Sequence, residues 1–456
     1  MADYLPHTDA EVATMLEFLG LASTEQLFAV VPEALKVQAG LELAAGQSEP
    51  DVFARMESLA EQNLARADRM VCFAGGGAYD HEVPSVVRAL GGRSEFMTAY
   101  TPYQPEVAQG VLQAVFEFQT MAARLAGLPV ANASLYDGAS ALVEGVNLGV
   151  AASGRPTVWV SAGVHPHQRA VLATFAKGTG HELVEVPLED GVTRWPSDGG
   201  QPGVIVAAYP NYLGCLEDLG AVRALADQHG AIMVVAADPV SAGIVRSAGD
   251  WGADVVVGEG QAFGTPLGFG GPYLGLFACT LAQVRRLPGR LVGETVDTEG
   301  TRAYVTTLRA REQDIRREKA TSNVCTNQTL MAVVAAIQLG WLGTRGLAEV
   351  ARRCALGAHY CHDALVALDG VEPLTPGASF VREFAIRTPI PARTASERLA
   401  EEGFLAGLVL ADLTGEGGDG SVSADGAEHG LLVAVTERRT RTQIDAFVGA
   451  LDKAVR

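Results

Sequence analysis

Two apolar runs with polar ends constrain this chain more than any other feature. Residues 231–237 (AIMVVAA) end in Asp238, and residues 253–257 (ADVVV) run into Gly258, Glu259, Gly260 and Gln261. Strands apolar on both faces belong to parallel sheets covered by helices on either side, where ligands sit beyond the carboxyl ends of the strands. Shorter apolar runs at 158–161 and 203–208 alternate with helical patterns at 167–177 and 218–229. That alternation predicts an α/β domain with a mainly parallel sheet. The plainer reading of 252–275, with its many glycines and prolines, is a strand end followed by a packing loop.

At 456 residues the chain can bury a large core and divide into more than one domain. Its 34 basic against 53 acidic residues give a net charge of −19, a poor surface for nucleic acid or anionic lipid. The six cysteines show no C-x-x-C pair, so reduced thiols are expected and no metal site is read. The first residues lack a signal pattern, and the longest apolar run, 330–342, is too short to span a bilayer. A cytoplasmic location is expected. G-x-G-x-x-G does not fit the glycines at 75–77, and at 258–263 Phe263 stands where the third glycine should be; Gly-Lys-Ser/Thr and H-E-x-x-H are absent, and His165-Pro-His167 reads as a helix start.

The chain reads as an arm of short helices (1–65), a large α/β domain (66–325) and a small α+β domain (326–456). In the arm, Thr8 with Glu11 and Ser23 with Gln26 fit the capping box, and Gly20 closes the first helix. Tyr100, Tyr103 and Gln104 lie on a proline-stiffened turn that opens a helix ending at Gly127. Ser134 and Asp137 precede a helix at 142–152, where free amides and the helix dipole favour an anion, although such residues cap helices generally. Residues 309–323 carry Arg309, Arg311, Arg316, Arg317 and Lys319, then Thr321, Ser322 and Asn323. A solvated helix face is expected there, with arginines able to grip carboxylates. In the last domain a helix at 329–342, strands at 380–386 and 431–436, a mobile loop at 412–430 and a final helix capped by Thr440 and Gln443 are expected.

The two strands resemble the centre of the pyridoxal-phosphate enzymes with the aspartate-aminotransferase fold (fold type I). There the first strand ends in an Asp that pairs with the pyridinium nitrogen, and the second runs into His-Lys, whose Lys holds the cofactor as a Schiff base. Asp238 matches. Gly260-Gln261 stands at the His-Lys position, and glutamine has no amine to offer.

Longer stretches resemble the glycine cleavage system P-protein family, most nearly the first subunit of its two-subunit form. They are YLPHT (4–8), YTPYQPEVAQGVLQAVFEFQT (100–120), NASLYDGASA (132–141), GEGQAFGTPLGFGGP (258–272), PGRLVGETVD (288–297), REQDIRREKATSNVCTNQ (311–328) and TERRT (436–440). Asp314 departs from the histidine expected in that pattern. The resemblance implies that glycine is decarboxylated on pyridoxal phosphate held by a lysine of a second subunit. The aminomethyl group then passes to the lipoyl group of a carrier H-protein. It implies an α2β2 heterotetramer and no catalytic residue in this chain. Contributions to cofactor binding or to a shared site fall to Tyr100, Tyr103, Gln104, Ser134, Asp137, Asp238, Arg316, Lys319, Thr321, Ser322 and Asn323. The competing readings are a cofactor-free scaffold or regulatory pseudoenzyme, and an independent aminotransferase using Lys319.

Overall fold

The computed structural model describes residues 6–36, 43–63, 70–196, 200–308, 313–414 and 421–456. Residues 1–64 and 65–456 form two compact units.

In the first unit, helix α1 (Asp9–Leu19) has the expected reciprocal cap: Glu11 N–H donates to the Thr8 hydroxyl, and Thr8 N–H donates to the Glu11 carboxylate. Gly20 ends it in the left-handed region. The second expected box does not form. Ser23 makes no cap bond, and Gln26 instead accepts from Ala22 N–H beside a 3-10 turn, Thr24–Phe28. Helix α2 (Glu49–Glu61) is capped by Ser48. Neither α-helix buries a side chain, and Phe18 and Phe53 are exposed. Tyr4, in the 4–8 motif, lies outside the described residues.

The second unit is built on helices α3 (Gln109–Ala126), α4 (Gly138–Ser153), α5 (Pro166–Thr179) and α6 (Leu219–His229) around a seven-stranded sheet. Its strands are β1 (Val130–Ala131), β2 (Thr157–Ser161), β3 (Glu182–Val186), β4 (Val204–Tyr209), β5 (Ile232–Ala237), β6 (Val255–Glu259) and β7 (Gly275–Cys279), in the order β1-β7-β6-β5-β4-β2-β3. All neighbours are parallel except β7, which is antiparallel to β6 and β1. Alternation along β4 explains its unbroken apolarity. Val204, Val206 and Ala208 face the layer that α4 covers, while Ile205, Ala207 and Tyr209 face the layer shared with α3 and α6. A two-stranded hairpin, β8 (Leu291–Val296) with β9 (Arg302–Thr307), packs beside α3.

The helix expected over 329–342 ends at Gly343, whose backbone (φ 60°, ψ −178°) is not helical, and a second helical segment follows directly, so that the two make up the kinked α7 (Thr329–Val366). Beyond the kink Leu347, Ala351, Cys354, Ala358, Cys361 and Leu365 are all buried, at alternating spacings of four and three. α7 is long and apolar enough to cross a membrane, but its apolar face is used in packing. Ala332, Ala336 and Leu339 belong to the core of the large sheet, while Ala358, Cys361 and Leu365 belong to that of a smaller one.

That smaller sheet is antiparallel, with β10 (Glu372–Pro373), β11 (Glu383–Arg387), β12 (Leu408–Val409) and β13 (Gly430–Ala434) in the order β10-β11-β13-β12. Helix α8 (Arg441–Val455) covers it and carries the expected Thr440–Gln443 capping box. Val71–Cys72 pairs in parallel with Phe404–Leu405, so Phe73 enters this second core. The loop expected at 412–430 is partly helical, at Ala411–Thr414 and Ala424–His429, and residues 415–420 lie outside the described residues.

Candidate functional site

The carboxyl ends of β4, β5 and β6 open onto a cleft that also receives Tyr79, His165, Arg382 and Glu383. Gly258 lets β6 close against β5 at its floor: a Cβ there would lie 2.5 Å from the Ala237 carbonyl oxygen. The cleft encloses about 90 Å³, against several hundred Å³ for an ordinary cofactor pocket.

Asp238, at the end of β5, is already fully engaged. Its Oδ2 accepts from Ser241 N–H and Oγ–H, and its Oδ1 accepts from Val240 N–H and, at 2.6 Å, from Arg382 Nη2. The buried Arg382 guanidinium lies 3.6 Å from the Tyr79 ring centroid and donates through Nη1 to His81 Nε2. His81 Nδ1 in turn meets Glu437 at 2.7 Å. Burial pushes the Glu437 carboxyl up, but the donors on His81 and Glu82 N–H outweigh it and bring it to about 2.

Gln261 is locked as well. Its Oε1 accepts from Tyr79 N–H at 3.0 Å, and its Nε2 donates to the Thr265 carbonyl at 2.7 Å and the Tyr79 carbonyl at 3.2 Å. Beside it, the half-buried Glu259 carboxylate accepts three backbone N–H groups, from Gly138 at 2.8 Å, Gln261 at 3.0 Å and Leu274 at 2.9 Å. Gly138 is the first residue of α4, so a carboxylate of this chain sits on the helix end where an anion was expected. Burial pushes Glu259 up to about 7 despite those donors. Glu383 is likewise raised to about 7 by burial, although it accepts from Gly76 N–H at 2.7 Å and Tyr79 Oη–H at 2.8 Å. Burial lowers His165 to about 4, leaving a neutral ring that donates to the Gly76 carbonyl and accepts from His167 N–H.

The residues singled out in the sequence divide between two places. Asp238 and Gln261 line the cleft, and Asp137 adjoins its floor as the α4 cap, accepting from Ser140 N–H at 2.7 Å. The others lie outside the cleft. Tyr100 and Tyr103 are exposed, and the Arg290 guanidinium lies 5.8 Å from the Tyr103 ring centroid. The Arg290 carbonyl accepts from Ala133 N–H, next to Ser134. Ser134 is buried and accepts from Gln328 N–H at 3.1 Å, so its hydroxyl serves the 321–328 segment and not an anion at the start of α4. Gln104 precedes a 3-10 turn, Pro105–Val107, placed before α3.

Arg316, Lys319, Thr321 and Asn323 are exposed, and Ser322 is buried. Among the described residues of the charged stretch, 313–323, the expected helix is reduced to one turn, Gln313–Arg316, and a 3-10 turn, Arg317–Lys319. Arg317 at φ 52° interrupts it. Arg309, Arg311 and the side chain of Asp314 lie outside the described residues. Tyr79, Glu259, Arg382 and Glu383 were not singled out from sequence. The only available signal was Glu259, a carboxylate placed between two glycines at a strand end.

A family model described as glycine cleavage system P-protein matches residues 2–401. The chain belongs to that family. It is 46% identical over 452 residues to the probable glycine dehydrogenase (decarboxylating) subunit 1 of Moorella thermoacetica, covering 98% of each chain. To the protein of the same description from Chlorobium chlorochromatii it is 44% identical over 453 residues, again covering 98% of each. Among solved structures it is similar to a glycine decarboxylase (P-protein) of the glycine cleavage system in inhibitor-bound form. The TM-score is 0.91 at 46% identity, covering 99% of this chain and 100% of that one. A sphingosine-1-phosphate lyase from Burkholderia pseudomallei matches with a TM-score of 0.64 at 14% identity, covering 93% and 94%. That match shows the fold alone. The fold is the aspartate-aminotransferase-like one, fold type I, with a mainly parallel sheet.

Proposed function

We propose that this P-protein-family chain is the first subunit of a two-subunit glycine dehydrogenase (decarboxylating). Pyridoxal phosphate is held by a lysine of the second subunit, glycine loses its carboxyl group there, and the aminomethyl group passes to the lipoyl group of H-protein. The assembly is a cytoplasmic α2β2 heterotetramer. In this chain an arm (1–65), a large domain (66–325) and a small domain (326–456) serve it.

The observation that carries this reading is the state of the chain's own cleft, which does not fit the cofactor. No lysine lines it among the described residues, and the amide of Gln261 is fixed by backbone groups. Asp238 is neutralised by Arg382, and the Glu259 carboxylate covers the helix end that a phosphate would need. Coverage of 98% of relatives described as subunit 1 supports the rest.

The contribution of this chain is therefore to the partner's site. Tyr100, Tyr103 and Gln104 on a stiff turn, with Arg316, Lys319, Thr321 and Asn323, supply hydroxyl, amide and cationic groups at the subunit boundary, whereas Ser322, expected there too, is buried and accepts from Val324 N–H. Tyr103 offers a phenolic donor, and the arginines offer charge to a substrate carboxylate.

Co-expression with a lysine-bearing paralogue tests the proposal. The pair should release carbon dioxide from glycine with lipoylated H-protein, and neither chain should do so alone. A glycine-decarboxylating monomer of this chain would overturn it. If Tyr103→Phe and Arg317→Ala leave the turnover of the assembled pair unchanged, the scaffold reading wins.

A further inference from the structure

A second cavity, larger than the cleft, lies where the two segments of α7 meet. It encloses about 320 Å³, the size of an ordinary small-molecule site. Gln338, Trp341 and Leu342 line it from before the kink at Gly343, and Leu347, Val350 and Arg353 from beyond it. Val240, Ala262 and Phe263 add buried apolar walls. Trp341 is 59% exposed and so marks where the cavity meets solvent.

The buried polar groups of the lining are acceptors. Gln338 is only 4% exposed. Its Nε2 donates to the Glu82 carbonyl at 3.3 Å and the Ala262 carbonyl at 3.5 Å, which fixes which way the amide points. Its Oε1 then has no hydrogen-bond partner among the described residues, an unfavourable state for a buried acceptor. Glu437 stands beside it, because both are tied to one residue: Glu82 N–H donates to Glu437 Oε1 at 2.8 Å, and the Glu82 carbonyl takes the Gln338 amide. Glu437 Oε2 accepts from His81 Nδ1 at 2.7 Å and Cys354 Sγ at 3.5 Å. No arginine or lysine forms an ion pair with it among the described residues. Glu349 and Arg353, which also line the cavity, bond to each other at 2.7 Å.

Two classes of ligand fit this end poorly. His81, Cys354 and Glu437 place ligating atoms within 4.8 Å of one another, as a metal site would. A guanidinium only donates, however, so the Arg382 contact leaves His81 Nε2 without a hydrogen and puts the ring proton on Nδ1, facing Glu437. Nδ1 therefore has no lone pair for a metal. An anion would meet the Glu437 carboxylate with no cation to offset it. A protonated amine suits both acceptors, since it brings charge and several N–H donors together.

We propose that this cavity binds a small organic amine, its ammonium group donating to Glu437 and Gln338 Oε1 and its apolar body lying against Phe263, Leu347 and Trp341. Nothing in the site draws on the chain's role beside a partner subunit.

Calorimetric titration of the full chain, and of the pair co-expressed with the lysine-bearing paralogue, tests this. The probes are N-methyl-2-phenylethylamine and N-methylhexylamine, secondary amines with two N–H donors when protonated, and phenylacetate is the anionic control. At least one amine should bind saturably, once per copy of this chain, to both samples, and phenylacetate should not. Glu437→Gln should weaken that binding at least about tenfold, as expected for losing a hydrogen bond to a charged group. Val350→Phe fills the cavity while leaving its polar end intact. It should abolish binding, and it serves if Glu437→Gln does not fold. Failure of both amines to bind, or binding unmoved by these variants, overturns the proposal. Binding to the chain alone that is lost in the pair overturns it too, because the partner would then cover the cavity.

Discussion

Arg382 Nη2 lies 2.6 Å from Asp238 Oδ1, joining the end of β5 in the large sheet to the residue that precedes β11 in the small one. An aspartate that in this fold normally faces a cofactor ring is here balanced by an arginine from the chain's own second core. The arginine is held on three sides, by Asp238, by the Tyr79 ring and by His81. The cleft is thereby converted from a binding site into a polar joint between two cores.

Removing both sides of that joint should cost less than the sum of removing each alone. Arg382→Met leaves Asp238 charged and poorly compensated, and should destabilise the chain by about 3 kcal/mol. Asp238→Asn combined with Arg382→Met should cost less than the two single losses added together. Urea unfolding of the four proteins measures this, and strict additivity would show that the pair is not coupled.

Gln261→Lys should not create a cofactor enzyme. The new amine would lie beside a carboxylate on the α4 helix end and an aspartate already paired with arginine. Borohydride reduction after incubation with pyridoxal phosphate, followed by peptide mapping, should find no stoichiometric adduct at 261. The same treatment should leave wild-type Lys36, Lys177, Lys319 and Lys453 unmodified. Full labelling at any of these positions contradicts the self-occupied cleft.

Tyr103→Phe should weaken cofactor binding to the assembled pair by about 1–3 kcal/mol if its hydroxyl donates to a charged group. Assembly should persist, because the ring still lies beneath Arg290. Cofactor titration of the variant pair decides the matter, and unchanged affinity with unchanged turnover would make Tyr103 a purely structural residue.

Stability should fall as the pH rises through neutrality. Burial raises Glu144, Glu259 and Glu383 each from 4.5 to about 7. Between those values the folded chain binds more protons than the unfolded one. Their contribution is therefore complete below about 4.5 and is lost as the pH passes about 7. Glu437, lowered to about 2, acts in the opposite sense: its contribution is present above 4.5 and is lost as the pH falls toward 2. Thermal unfolding at about pH 5.5 and about pH 7.5 should show a smaller loss on raising the pH in Glu383→Gln than in wild type. Identical slopes would mean that Glu383 is not protonated in the folded chain.

Much of the architecture was legible because it is written in local periodicity. Unbroken apolar runs ending in Asp238 and Gly258 required a parallel sheet with its strand ends in one place, and Gln261 removed the amine whatever the surroundings. Thr8, Gly20, Gly127 and Thr440 marked helix ends because caps act within a few residues. Where tertiary packing competes with a local signal, the sequence was a poorer guide. The helix expected over 329–342 does end at Gly343, yet a second helical segment follows at once and runs to Val366, because two cores take up the buried stripe on either side of the kink. The contacts that define the cleft were beyond reach for another reason. Asp238 and Arg382 are 144 residues apart, Gly138 and Glu259 are 121 apart, and Glu383 and Gly76 are 307 apart. The sequence alone determined that this chain has no lysine where the fold anchors its cofactor. Only the tertiary structure decided what fills that place, because a buried carboxylate or guanidinium takes its partner from whichever distant donor or acceptor the packed sheets bring within hydrogen-bond reach.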